Sequence, residues 1–590
     1  MQYVYIVCEL IAGLGAFLIG VKLLSDNMEK LAASRFKDFF HRKPKTVPVV
    51  TAAEAEGLSD EEREALVKKT RRAAKRKDIA AEIGSRFAGV GIGTASTAIV
   101  QSSSLTTVMV VGLVNAGVMS LSYASTVIMG ANIGTTVTGL IAALQEFDVA
   151  TFATALAGIG IFAAIFAKKE KAVTVSLAIA GLGLVFVGLG IMADSMTAVR
   201  ESEAVTNAFA SIDNPFLLFF LGIAVTAIVQ SSSAVTSILI SMAAAGITIG
   251  SGGNSVMFVV LGTNIGTCVT ALISSIGANI NAKRAAVIHL LFNVIGSVIF
   301  FIILISWKDM SAMTLEVLFK DLPSMQIAMF HTFFNVICTI IFLPFSELFV
   351  KAATFLVRER KKKVAHEGED ISSVSNRLDK RLLATPSIAV DSAAAEAAEA
   401  LKEASDSLFA AVDGFLARDG ESIEKVSEAN EKILEHTTKI GDYLTQISAY
   451  DATLVTERKI TALHSCVGDI NRVAQLADNV GKYTRRAIKD NLHFSPMVKD
   501  EIKGMMDIIS SMSDQSAAIL ADKNSAALAE MESLEEQVDA KRKSLMKDHI
   551  KRLGSGECRP ESSGVFINLV CNLERVGDHL NYIAHSAESF

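Results

Sequence analysis

Lysine and arginine are missing from two long stretches of this sequence, 87 to 167 and 215 to 282. Charge is scarce throughout, at 20% of residues against 51% hydrophobic, and the mean hydropathy is +0.41. A chain of 590 residues with that balance is too apolar for a soluble enzyme, too long for one domain, and has no nucleic-acid footprint. Cysteine is equally sparse. Cys8, Cys268, Cys338, Cys466, Cys558 and Cys571 show no CxxC and no paired spacing, which argues against a disulfide framework or a structural zinc site. No nucleophile–base constellation and no nucleotide-binding loop is found, so the chain is not expected to be an enzyme. The first apolar run ends near Lys22 with no small-residue cleavage site behind it, and it is read as a retained span.

What the chain does have is long apolar runs. Spans of about 20 residues fall at 3–25, 121–145, 149–167, 172–194, 254–278, 286–306 and 326–350, which makes seven crossings. Two further apolar stretches, 87–118 and 215–248, carry Gln101-Ser102-Ser103-Ser104 and Gln230-Ser231-Ser232-Ser233 at their middles. Consecutive polar residues in a lipid-embedded segment are costly unless they face a cavity, a partner or a solute, so both stretches are read as re-entrant hairpins. Basic residues gather at 68–77, at Lys168, Lys169 and Lys171, at Lys283-Arg284, and from Arg358 to Lys363, whereas 201–214 and 307–325 are poor in them. The positive-inside rule then puts the N-terminus outside and everything after Arg358 in the cytoplasm.

The membrane half repeats itself. Ile11-Ala-Gly-Leu-Gly15 matches Ile179-Ala-Gly-Leu-Gly183 at an offset of 168, and Thr97 to Ser104 matches Thr226 to Ser233 at an offset of 129. Gly130-Ala-Asn-Ile-Gly-Thr135 returns as Gly262-Thr-Asn-Ile-Gly-Thr267. Three crossings plus a hairpin per copy is an odd count, so the second copy must run through the membrane upside down. That is the inverted-repeat build of secondary transporters. The expected class is therefore an all-α polytopic membrane transporter with inverted repeats and two re-entrant hairpins. Its domains are a first repeat over 1–170 with a basic, helical cytoplasmic insertion at 35–86, a second repeat plus final span over 171–350, a linker at 351–387, and a cytoplasmic domain over 388–590.

If the second arm of each hairpin begins at its serines, three successive N–H groups lack helical acceptors and point into the break, with the positive end of the helix dipole behind them. Two such nests would suit a tetrahedral oxyanion such as phosphate. With no lysine or arginine nearby, the neutralising charge has to be mobile, and a cotransported cation supplies it. Asn132-Ile-Gly-Thr135 and Asn264-Ile-Gly-Thr267 offer a glycine break with freed carbonyls, amides and hydroxyls, which suit a hard cation such as Na⁺. His289 and Asn293, like His331 and Asn335, lie four apart on one helix face, as a proton relay or as interhelical glue.

The paired Gln-Ser-Ser-Ser hairpins and the Asn-Ile-Gly-Thr stretches resemble the type II sodium-phosphate cotransporters in their bacterial form, over about residues 1 to 350. The resemblance implies phosphate held by Ser102, Ser103, Ser104, Ser231, Ser232 and Ser233. It implies Na⁺ as coupling ion, held near Gln101, Gln230, Thr97, Thr226, Asn132, Thr135, Asn264 and Thr267, in the bacterial inner membrane.

After Arg358 the chain turns charged and follows a 3.6-residue period through six expected helices at 388–417, 420–449, 453–489, 495–522, 524–552 and 561–588. Asp469-Ile-Asn-Arg-Val-Ala-Gln475 aligns with Asn572-Leu-Glu-Arg-Val-Gly-Asp578, so the six divide into two three-helix bundles. Glu574 and Asp578 share a face and could hold a metal, whereas Asn471 and Gln475 take their places in the first bundle. Leu573-Glu-Arg-Val-Gly-Asp578 resembles the PhoU domain, a regulator of phosphate uptake, which implies a divalent or iron-type metal at Glu574 and Asp578. The expected function is sodium-coupled phosphate symport by alternating access, with inorganic phosphate, sodium, the lipid bilayer, and a second copy or a phosphate-signalling protein as partners. Phosphate export and a signalling protein anchored in the membrane without transport stand as the alternatives.

Overall fold

The computed structural model describes residues 2–40, 83–147, 149–200, 202–250, 252–358, 377–450, 454–522 and 525–588. Most of the basic insertion expected at 35–86, and half of the linker expected at 351–387, lie outside them. The described residues are almost entirely helical, without a strand, and divide into two compact units, Met1–His366 and Glu367–Phe590.

The first unit contains α1 (Gln2–Phe40), α2 (83–100), α3 (Ser103–Asn115), α4 (Leu121–Ala143), α5 (Val149–Phe166), α6 (Glu170–Arg200) and α7 (Glu203–Ala210). It continues with α8 (Pro215–Val229), α9 (Ser232–Ala244), α10 (Ser255–Ser274), α11 (Ile280–Ser306), α12 (Met310–Leu318), α13 (Pro323–Phe342) and α14 (Ser346–Leu356). Among the described residues six stretches are long and apolar enough to cross a membrane: α1, α4, α6, α10, α11, and α13 with α14. The span expected at 149–167 is the 18-residue α5, which at 1.5 Å per residue reaches about 27 Å, just short of a hydrocarbon core of about 30 Å. Its outward face is apolar, with Phe152, Phe162 and Phe166 exposed.

Glycine decides how α1 and α6 meet. A Cβ on Gly181 would stand 2.4 Å from Leu24 N, and one on Gly20 would stand 2.5 Å from Val185 N. Likewise a Cβ on Gly188 would lie 2.3 Å from Phe17 N, and one on Gly13 would lie 2.9 Å from Met192 N. Small residues let helix backbones approach this closely in lipid, where no hydrophobic force drives helices together. The pairing is antiparallel and reciprocal, Gly13 with Gly188 and Gly20 with Gly181. A two-fold axis that exchanges the two helices produces that pattern. The same device seats each first hairpin arm on the long helix that follows: Gly93 meets Val127 O and Gly130 meets Val90 O, as Gly222 meets Val259 O and Gly262 meets Phe219 O. Each second arm then packs between the two long helices, α3 and α9 each touching both α4 and α10.

Polar ties close both ends of the unit. At one end Asn279 donates to Asn115 through its backbone (2.7 Å) and its amide (2.8 Å), Arg86 donates to Pro344 O (3.2 Å), and Arg284 donates to Val357 O (3.2 Å). At the other, Glu146 caps α13 by accepting from Ser324 N (2.8 Å) and Met325 N (3.2 Å), and Asn254 donates to Trp307 O (2.8 Å).

In the second unit a short 3₁₀ turn (Lys380–Ala384) leads into α15 (Pro386–Ala417), α16 (Glu421–Ser448), α17 (Leu454–Lys489), α18 (Pro496–Asp522), α19 (Ser525–Gly554) and α20 (Pro560–Glu588). These six helices coincide with the expected ones to within about two residues at most ends. A charged cluster is buried among them. His436, 5% exposed, bonds Glu396 (3.0 Å) and Glu403 (2.9 Å), and Arg377 pairs with Glu396 (3.4 Å). Burial alone would depress the imidazole pKa, but the two glutamates outweigh it and raise it to about 9.

Gly181→Ala is expected to weaken the α1–α6 pair by about 1–3 kcal/mol through overpacking, seen as a lower melting temperature in detergent. Gly15→Ala, with nothing within 4 Å of its Cβ position, should leave the melt unchanged. His436 is charged in the folded bundle up to pH about 9 and in the unfolded chain only to about 6.5. Its stabilisation, on the order of 3 kcal/mol, is therefore complete below pH 6.5 and fades as pH rises through 9. Protection factors on α15 and α16 of the intact protein, with the intrinsic pH dependence of amide exchange divided out, should fall across that window, and His436→Ala should remove that fall.

Candidate functional site

The two Gln-Ser-Ser-Ser sequences break their helices in the same way. Gln101 (φ 54°) and Gln230 (φ 58°) adopt the left-handed conformation, which a side chain with a Cβ takes only when its surroundings compel it. Each glutamine N–H closes the first arm on a threonine carbonyl, Gln101 on Thr97 and Gln230 on Thr226, both at 2.7 Å. The next serine is extended in both copies, Ser102 at φ −143° and Ser231 at φ −145°, and is the N-cap of the second arm. Its hydroxyl accepts from Leu105 N or Ala234 N, each at 3.2 Å.

The cap takes the fourth donor at each helix end, Leu105 N–H or Ala234 N–H. The three successive N–H groups of Ser102, Ser103 and Ser104, and those of Ser231, Ser232 and Ser233, have no acceptor among the described residues. Ser103 and Ser232 are buried, while Ser102, Ser104, Ser231 and Ser233 are half-buried. Thr97 and Thr226, in the last turn before each break, are fully buried and their hydroxyls have no hydrogen-bond partner. Thr107 and Thr236, one residue type at matching positions of the second arms, share that condition. A buried polar group left unsatisfied twice, at symmetry-related positions, calls for an explanation other than imperfect packing.

The Asn-Ile-Gly-Thr stretches turn out differently. α4 and α10 run through them without a break, and Gly134 and Gly266 are contact points: a Cβ there would lie 2.5 Å from Thr94 O and 2.7 Å from Ile223 O. Asn132 and Asn264 donate to their own helices, at Ile128 O (2.9 Å) and Val260 O (3.0 Å). Their amide oxygens accept from Asn293 (3.3 Å) and Asn335 (3.4 Å). His331 Nε2 lies 3.2 Å from the Asn264 oxygen, so that nitrogen carries the proton. Thr135 and Thr267 bond back to Ala131 O and Thr263 O, each at 3.0 Å. The two His–Asn helices, α11 and α13, thus brace the long helices of the two repeats.

One pair escaped sequence reasoning. Thr138 donates to Gln101 Oε1 at 2.7 Å and ties the first break to α4. Its counterpart Thr270 stands at the same place in the second copy, eight residues after the glycine that opens the repeated stretch, and that recurrence was the available signal.

In the second unit Glu574 and Asp578 share their neighbourhood with Glu535 and Asp539. Burial first, and then the charge of Asp578, push the Glu574 carboxyl above the usual carboxylate range. Arg542 already sits among these groups, 3.5 Å from Glu574 and 3.9 Å from Asp539. Among the described residues no three His, Cys, Asp or Glu side chains are grouped to hold a metal ion. The set does not fit a resident metal, because an arginine occupies the place of the cation.

The family model described as Na+/Pi-cotransporter matches the chain twice in tandem, at residues 64–194 and 191–320, and the PhoU domain model matches residues 502–587. The "Uncharacterized protein YqeW" of Bacillus subtilis is 31% identical over 264 residues, 44% of this chain and 81% of that protein. The "Putative inorganic phosphate export protein YjbB" of Escherichia coli is 29% identical over 311 residues, 52% of this chain and 53% of its own length. Sodium-dependent phosphate transport protein 2A of Ovis aries is 47% identical over 72 residues, 12% of this chain and 11% of that protein. No solved structure matches.

A brace and a relay differ in what they tolerate at position 331. Glutamine can still donate to Asn264 but cannot shuttle a proton, so His331→Gln is expected to keep phosphate flux within about threefold of the parent, with an unchanged pH profile. This follows from the modest strength of interhelical hydrogen bonds, about 0.6 kcal/mol on average. Loss of flux, or a flattened pH profile, would restore the relay.

Proposed function

Because the chain belongs to the Na+/Pi-cotransporter family, we propose that it carries inorganic phosphate across a bacterial inner membrane, coupled to Na⁺, by alternating access. The observation that carries this reading is the pair of identical helix breaks, each with three unsatisfied serine N–H groups at a helix N-terminus, in stretches with no lysine or arginine. Oriented N–H groups and serine hydroxyls bind an oxyanion without a fixed positive charge. Ser102, Ser103, Ser104, Ser231, Ser232 and Ser233 present the donors, and Ser102 and Ser231 also hold the helix ends that present them.

Neutral donors leave most of the phosphate charge uncompensated. Sodium supplies the balance in this proposal, at the buried oxygens of Thr97 and Thr226 and the amides of Gln101 and Gln230, since a hard cation takes neutral oxygen ligands readily. Asn132, Asn264, Thr135 and Thr267 keep α4 and α10 in position beside them. The unit matched by the PhoU domain model is proposed to regulate the carrier from the cytoplasm. Export is the second reading, favoured by the name of YjbB. It uses the same site with the opposite net direction.

Radiolabelled phosphate flux into proteoliposomes, with and without an inward Na⁺ gradient, tests the proposal. Flux is expected only with the gradient, and flux indifferent to Na⁺ would sink the coupling. Ser103→Ala and Ser232→Ala should each weaken phosphate binding about tenfold or more, the worth of one hydrogen bond to a charged group. Ser120→Ala, which removes only the N-cap of α4, should leave binding unchanged.

A further inference from the structure

The two breaks share a backbone but not a side-chain arrangement. Gln101 is 8% exposed, its Oε1 accepts from Thr138, and its Nε2 donates to Ala98 O. Gln230 is exposed and its amide has no partner among the described residues, while the hydroxyl of Thr270 is buried without one. The surroundings differ in the same sense. Val100 is buried and its carbonyl accepts from Ser25, whereas Ile228 is 82% and Val229 39% exposed at the end of α8.

We propose that Gln101–Thr138 and Gln230–Thr270 are two copies of one latch, fastened in the first repeat and unfastened in the second, which change over when the carrier switches the side it opens to. The proposal rests on the alternating-access reading above. Unfastening the first copy would leave Thr138 in the condition of Thr270 here, a buried hydroxyl with nothing to bond, and fastening the second would relieve Thr270. What one copy loses the other recovers, so the two arrangements stay close in free energy, as a switch between two states requires. Thr138 and Thr270 are positioning residues in this scheme, acting through the glutamines on the breaks.

Accessibility of Val100→Cys to a membrane-impermeant maleimide, in proteoliposomes and quantified by peptide mass spectrometry, tests it without reference to transport. Val100→Cys should be protected in the parent. Adding Thr138→Val should raise the Val100→Cys rate about tenfold, and adding Thr270→Val should lower it about tenfold, the worth of one buried hydrogen bond. Thr138→Ser, which keeps the hydroxyl, should restore the parental rate, separating the latch from general loosening. A Val100→Cys rate indifferent to Thr138→Val, or a rise with both valine variants, would each overturn the proposal. Phosphate flux measured alongside separates the two readings, since absence of flux with opposed labelling shifts overturns transport and leaves the latch standing.

Discussion

The membrane unit depends on a backbone hydrogen bond made twice, from the N–H of a left-handed glutamine to a threonine carbonyl one turn back. A helix broken in lipid exposes donors and acceptors that no water can satisfy. Here the bond closes the first arm, the serine cap opens the second, and the three serine N–H donors of each break are left over. Everything around the breaks keeps that geometry in place. Glycine contacts seat the first arm on its own long helix, the second arm touches the long helices of both repeats, and the amides of Asn293 and Asn335 brace those long helices.

Much of this was legible in the sequence because local signals agreed with one another. Pro386, Gly420, Pro496 and Pro560 mark the helix starts of the second unit, and the expected boundaries fall close to the observed ones. Tandem motifs at constant offsets revealed the repeat, which the reciprocal contacts of Gly13 with Gly188 and Gly20 with Gly181 express in three dimensions. The breaks were legible too, since four polar residues in an apolar run have few uses.

Features that depend on remote partners were not. Gly134 and Gly266 can mean either a kink or a close approach, and only the neighbouring backbone decides which. Asn132 was expected to face a cation, but its oxygen meets Asn293, 161 residues away in the chain. The acidic face of Glu574 and Asp578 invited a metal, yet Arg542 on another helix stands among the carboxylates. His436 gave no sequence signal, since its partners Glu396 and Glu403 lie on a different helix. Periodicity and composition describe one helix at a time, whereas these features belong to pairs of helices.

The missing lysines and arginines reach beyond binding. From 87 to 147 the described residues carry a single ionisable carboxylate, Glu146 in the 3₁₀ turn after α4, and 215 to 274 carry none. Moving one elementary charge through a 100 mV membrane potential is worth about 2.3 kcal/mol. Hairpins and long helices built of neutral residues can rearrange within that field without doing electrical work of their own. In the proposed transport cycle the membrane potential would therefore find cargo ions, and not charged side chains of these elements, to act on.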